Sequence, residues 1–258
     1  MNIKTISALT LACSAAVATQ AQVIDPLNGT GGISYTTYLV NDGSAGAGEG
    51  VSFTQSGSGL TANYVGGTAF AEQALYLAPV TAFSTTFVVG DTLELSVSQP
   101  ASSTPMDIGL AISGNNPVAG SRTSYDWASV SVRPSQGLGN PATGTIRNNS
   151  DVSGALVTGA NVVNEATTSV SALYIQWVSA DVFNLGYIDS TTGAHQSESV
   201  TFNAGSSIGS EIGIYSDLRS VGGTLGPVSN LTIVPEPSTL ALCGMGFAGL
   251  VGLARRKK

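Results

Sequence analysis

The sequence predicts an all-β protein: a two-sheet antiparallel β-sandwich of the jelly-roll kind, flanked by a short apolar helix at each terminus. Three observations carry this. Apolar residues alternate with polar ones at period two through most of the middle of the chain. Gly, Ser and Thr are abundant, with 32 glycines in 258 residues, a composition that weakens helices and supplies turns. No segment of the middle carries a helical apolar stripe. A dozen or so short strands in one unit call for two packed layers, because a single open sheet of that size would curl and expose its edges.

The N-terminal element is Met1-Asn2-Ile3-Lys4 followed by an uncharged apolar run to Ala18. One cation followed by a short apolar core is the layout of a secretory signal peptide. Small residues at −3 and −1 permit cleavage after Ala18 or after Ala21, and the second is favoured, leaving Gln22 as the mature N-terminus. Residues 1–21 are therefore assigned to a signal peptide and signal peptidase is an expected partner. Thr10-Leu11-Ala12 before Cys13 is a poor lipobox.

Residues 22–234 form the expected β domain, about 210 residues and large enough to hold itself together by core burial. Both cysteines of the chain, Cys13 and Cys243, lie outside it, so it folds without a disulfide. It has no lysine, and four arginines stand against fifteen acids, a formal charge of −11. That field disfavours nucleic acid and other anionic polymers as partners.

Within this body, Leu93, Leu95 and Val97 share one strand face, as do Ile108, Leu110 and Ile112, and Ala128, Val130 and Val132. Leu173, Ile175 and Trp177 share another parity. A turn at Ser179-Ala180-Asp181 then leads to Phe183, Leu185 and Tyr187, which reads as a hairpin with Trp177 in the core. Further strands are expected at 33–40, 60–65, 69–77, 83–89, 200–202, 212–215 and 228–233.

Little catalytic chemistry is legible. His195 is the only histidine and lies in Ser190-Thr191-Thr192-Gly193-Ala194-His195, read as a solvated loop without the partners of a triad. Asp91 and Glu94 fall on opposite faces of their strand and Glu198 stands alone, so the paired carboxylates of a glycosidase are not present in sequence. The body is expected to be no enzyme and to hold no cofactor. The acids Asp42 and Glu49 in a Gly-rich loop leave a weak calcium alternative, though their spacing matches neither an EF-hand nor a Gly-Gly-x-Gly-x-Asp repeat. One binding lead comes from parity. With 128, 130 and 132 facing the core, Tyr125, Trp127 and Arg133 fall on the other face, where rings and a guanidinium would suit a saccharide. That face is the candidate glycan site, with Trp127 expected to be at least partly exposed.

The last element begins Val234-Pro235-Glu236-Pro237-Ser238-Thr239, continues as an uncharged Gly-rich span from Leu240 to Ala254, and ends Arg255-Arg256-Lys257-Lys258. Fifteen residues of apolar span make about 22 Å of helix, short of a hydrocarbon core of about 30 Å, so the segment suits a transient membrane hold. The basic tail stays cytoplasmic by the positive-inside rule, which puts the body outside.

These three parts resemble the PEP-CTERM sorting signal of Gram-negative, exopolysaccharide-producing bacteria. The resemblance implies an exosortase, a membrane cysteine transpeptidase, as partner, with Pro235, Glu236, Pro237, Arg255 and Arg256 as the signal residues and cleavage near Pro235-Glu236-Pro237. Residues 235–258 would then be a sorting and anchor segment holding the protein transiently in the inner membrane before delivery to the cell surface or the exopolysaccharide-rich biofilm matrix. The order of strands in the body also resembles the concanavalin-like and laminin-G-like jelly rolls. The expected role is a noncatalytic structural or adhesive surface protein. The alternatives are a polysaccharide-binding module and, further off, a secreted glycosidase or lyase.

Overall fold

The computed structural model describes residues 20–41, 50–65, 72–97, 106–114, 126–134, 144–152, 155–163, 170–202, 207–218 and 223–236. The chain divides into two compact units, residues 22–233 and residues 1–21 with 234–258. The apolar helices expected at the two termini, the Asp42–Glu49 loop, Tyr125, Pro237 and Arg255-Arg256 lie outside the described residues. No described helix is long and apolar enough to cross a membrane.

Among the described residues, fifteen strands build the body: β1 (Gln22–Asp25), β2 (Thr36–Asn41), β3 (Gly50–Ser56), β4 (Gly59–Val65), β5 (Glu72–Pro79), β6 (Thr92–Val97), β7 (Met106–Ser113), β8 (Trp127–Pro134), β9 (Gly144–Val152), β10 (Ala155–Val163), β11 (Val170–Ser179), β12 (Val182–Asp189), β13 (His195–Thr201), β14 (Glu211–Leu218) and β15 (Gly223–Val234). They form an eight-stranded sheet, ordered β13-β12-β11-β6-β15-β4-β3 with β1 beside β15, and a seven-stranded sheet, ordered β10-β9-β8-β7-β14-β5-β2. Every pairing whose register is described is antiparallel. This is the all-β two-sheet sandwich that the alternation predicts.

The aliphatic faces read from parity meet between the sheets. Leu93, Leu95, Leu173, Ile175, Phe183 and Leu185 from one sheet pack with Ile108, Leu110, Ile112, Ala128, Val130, Ile212 and Ile214 from the other, all fully buried in one cluster. Tyr64 of β4 donates its hydroxyl to Ser216 Oγ of β14 at 3.2 Å, a buried polar tie across the layers. At the β2/β3 edge, Tyr76 stacks between Tyr35 (4.6 Å) and Phe53 (4.7 Å), and the rings close the opening there.

The stretch 83–89 is not the expected strand. A 3-10 turn at Val80–Ala82 precedes it, and bends and a turn follow. Phe83 and Phe87 share one parity and are buried while Val88 and Val89 are exposed, so the stretch alternates at its start, but it pairs with no neighbouring strand. Its backbone is satisfied elsewhere. Val88 N–H donates to the Asp91 carboxylate at 2.9 Å, and Gly90 N–H donates to the Trp177 carbonyl at 2.7 Å. Trp177 itself is partly exposed at the end of β11, stacked on Phe183 and capping Phe87, so it closes the core where full burial was expected.

Candidate functional sites

Three places bear on function. The first is the outer face of the seven-stranded sheet. β8 runs Trp127-Ala128-Ser129-Val130, and with the even positions in the core, Trp127 and Ser129 point the other way. Register extends that outer face across the sheet in rows: Trp127 opposite Ser113, which is opposite Glu211, and Ser129 opposite Ala111, which is opposite Gly213. Tyr215 and Leu75 are likewise paired in the next row, with Tyr38 beyond. Trp127 stacks on Tyr215 at 5.7 Å over this floor of small residues.

Trp127 is on the face that parity predicts, but it is not exposed. It is 0% accessible and belongs to a second buried cluster with Leu75, Leu77, Ala111 and Tyr215, against which Tyr38 packs. A large ring set beside Leu75, Leu77 and Tyr215 gains more from removal from water than an isolated ring on a polar face would, and only the cross-sheet neighbours reveal that company. Its indole Nε1, Ser129 Oγ and Glu211 Oε2 are buried without a hydrogen-bond partner. Burial pushes the Glu211 carboxyl up from its ordinary value. Tyr38 is pushed up as well, chiefly by burial and then by the charge of Glu211. Arg133 lies in β8, and Tyr125 is outside the described residues. The expected open saccharide platform is therefore corrected at its central ring.

The second place is the outer face of the eight-stranded sheet. His195 is the first residue of β13 rather than a loop residue, because β13 pairs from His195 to Thr201 along β12. Its imidazole rests on the Tyr174 ring at 5.2 Å. Glu94, opposite Tyr174 in the β6/β11 ladder, has its carboxyl raised by burial, with the nearby His195 charge pulling it back. Asp91 sits apart from this group, accepting from Val88 N–H. Among the described residues no group of three or more His, Cys, Asp or Glu side chains is placed to hold a metal ion.

The third place is the end of β15. Its ladder with β1 closes on the pair Gln22 and Ile233, after which Pro235 and Glu236 carry no strand. Proline lacks the N–H a ladder needs, so the sheet stops where the polar signature begins.

An all-β sandwich whose last strand runs directly into a terminal sorting segment is the class these features define. Residues 234–258 match the PEP-CTERM protein-sorting motif. That motif marks the chain for export and sorting to the envelope or surface of a Gram-negative bacterium. No curated protein matches the chain. Among solved structures, the basic winged bean lectin, determined with Tn-antigen, is similar at 12% identity and TM-score 0.37, over 78% of this chain and 97% of that one. A protein of unknown function from Shewanella oneidensis MR-1 is similar at 12% identity and TM-score 0.39, over 90% and 92%. Both likenesses are distant.

Proposed function

We propose that this is an exported protein handed by an exosortase to the cell surface or exopolysaccharide matrix, where its body serves as a noncatalytic structural or adhesive sandwich. The observation that carries the reading is the sorting motif at residues 234–258, which starts at the residue where β15 ends. The signal-like residues 1–21 agree with it, as does a cysteine-free body. The inner membrane is a way station, held by the span from Leu240 to Ala254 until the exosortase acts. A structural role accords with the sealing of Trp127, which withdraws the ring that a saccharide would stack upon.

The test is intact-mass analysis of the surface-released protein, expected to begin near Gln22 and end near Pro235. Deleting the exosortase should leave the chain in the membrane fraction. Recovery of released protein still carrying Arg255 to Lys258 would overturn the sorting reading. Specific retention of the released protein on a glycan array would replace the structural role with a binding one.

A further inference from the structure

The residues just before the sorting signal are locked into the sheet. Leu231, Thr232 and Ile233 pair with Asp25, Val23 and Gln22 of β1, and Leu231 and Ile233 are buried. β1 is in turn held by Asp25, buried at 1% exposure, whose carboxylate accepts from Leu27 N–H at 2.8 Å and from the Tyr35 hydroxyl at 2.7 Å. Asn230 N–H adds a bond to the Pro26 carbonyl at 3.4 Å. An enzyme that cuts at or beside Pro235-Glu236-Pro237 has to grip extended backbone on both sides of the bond. On the N-terminal side that backbone is Leu231 to Val234.

From this juxtaposition we infer that β1 gates the sorting reaction. The bond is cut from a locally opened state in which β1 has left β15 and the last residues of β15, no longer held between β1 and β6, come away from the sheet, while the rest of the sandwich stays folded. β1 is suited to this, being four residues long, off the main path of its sheet, and paired among the described residues with β15 alone. Short terminal strands open at lower cost than core strands do. When such opening is fast relative to cleavage, the cutting rate follows the open population. The inference rests on the sorting reading and adds to it a control exercised by the protein's own N-terminal strand.

Pulse-chase labelling of the full chain in a host that has the exosortase tests it. A Gly-Ser-Gly-Ser insertion between Val234 and Pro235 moves the signal clear of the ladder and leaves residues 22–233 intact. The sorted form should then appear at least about threefold faster, because cleavage no longer waits for opening. Val23→Pro, which weakens β1 pairing, should accelerate sorting at native spacing and add nothing on the inserted background. An insertion that leaves the rate unchanged or slows it overturns the gate, whatever Val23→Pro does to folding. Replacing Pro235, Glu236 and Pro237 together by alanine should abolish the sorted form with or without the insertion. If it does not, the sorting reading fails, which is a separate result from failure of the gate.

Discussion

Trp127 shows how far a single side chain is decided by its neighbours. Its parity follows from Ala128, Val130 and Val132, yet its burial depends on Leu75, Leu77 and Tyr215, brought beside it from strands far away in sequence. Trp127→Ala is therefore expected to destabilise the fold by about 3–5 kcal/mol, measured by denaturant unfolding. Trp127→Phe should cost distinctly less, because it keeps a ring against Tyr215 and removes an indole N–H that has no partner. A comparable lock holds the β1 end. Tyr35→Phe strips a bond from the buried Asp25 carboxylate and should cost about 1–3 kcal/mol. Burial pushes the Tyr35 hydroxyl far above its ordinary value, with the Asp25 bond adding to it, so the phenol remains a donor throughout the physiological range.

Glu211 makes a pH prediction with a definite sign. Burial raises its folded pKa, so the folded state holds a proton at pH values where the unfolded state has lost it. Its stabilising share is thus present below the ordinary carboxylate pKa and is lost as pH rises through the folded one. Glu211→Gln should flatten that part of the profile and raise stability at about pH 7 relative to about pH 4, read from unfolding midpoints. Glu94→Gln should act in the same direction, since burial is the larger influence on Glu94 and the His195 charge only partly offsets it.

Among the elements, the central strands were the legible ones. β6, β7, β11 and β12 carry alternating apolar residues because one face of each meets the core and the other meets a polar or solvated layer. β1, β9 and β10 lack that signature, and β3 carries it only at Val51 and Phe53: Thr145-Ile146-Arg147-Asn148-Asn149 reads as a polar stretch in isolation. They become strands because neighbours offer free ladders, β4 to β3 and β8 to β9. Edge strand β13 depends on close approach at Gly186, where an added Cβ would fall 1.9 Å from the Gln196 carbonyl oxygen. Gly186→Val should therefore detach β13 while sparing the β11/β12 hairpin. Hydrogen exchange would show protection lost from 195–201 and kept at 173–177.

For the molecule as a whole, cohesion comes from burial between the two sheets, with Cys13 and Cys243 both outside the body. Reductant and chelator should leave the melting temperature of the released protein nearly unchanged. A large fall with chelator would point to a cation site outside the described residues, with Asp42 and Glu49 the first place to look. The sorting signal was the most legible site because a short linear segment is read by a membrane enzyme as sequence. The glycan face was misread at Trp127 because exposure is a property of the assembled sheet.

The sorting motif, the absence of cysteine from the body, the antiparallel class and the inward parity of the central strands are all legible in the chain. Each of these is local, written in adjacent residues or in period two. The tertiary structure decided which strands are neighbours, that Trp127 is sealed, and that Gln22 pairs with Ile233 beside the sorting signal. Many strands here share one alternating pattern, so pattern alone cannot choose among partners. That choice belongs to the packing of the whole core, where distant residues exclude water together.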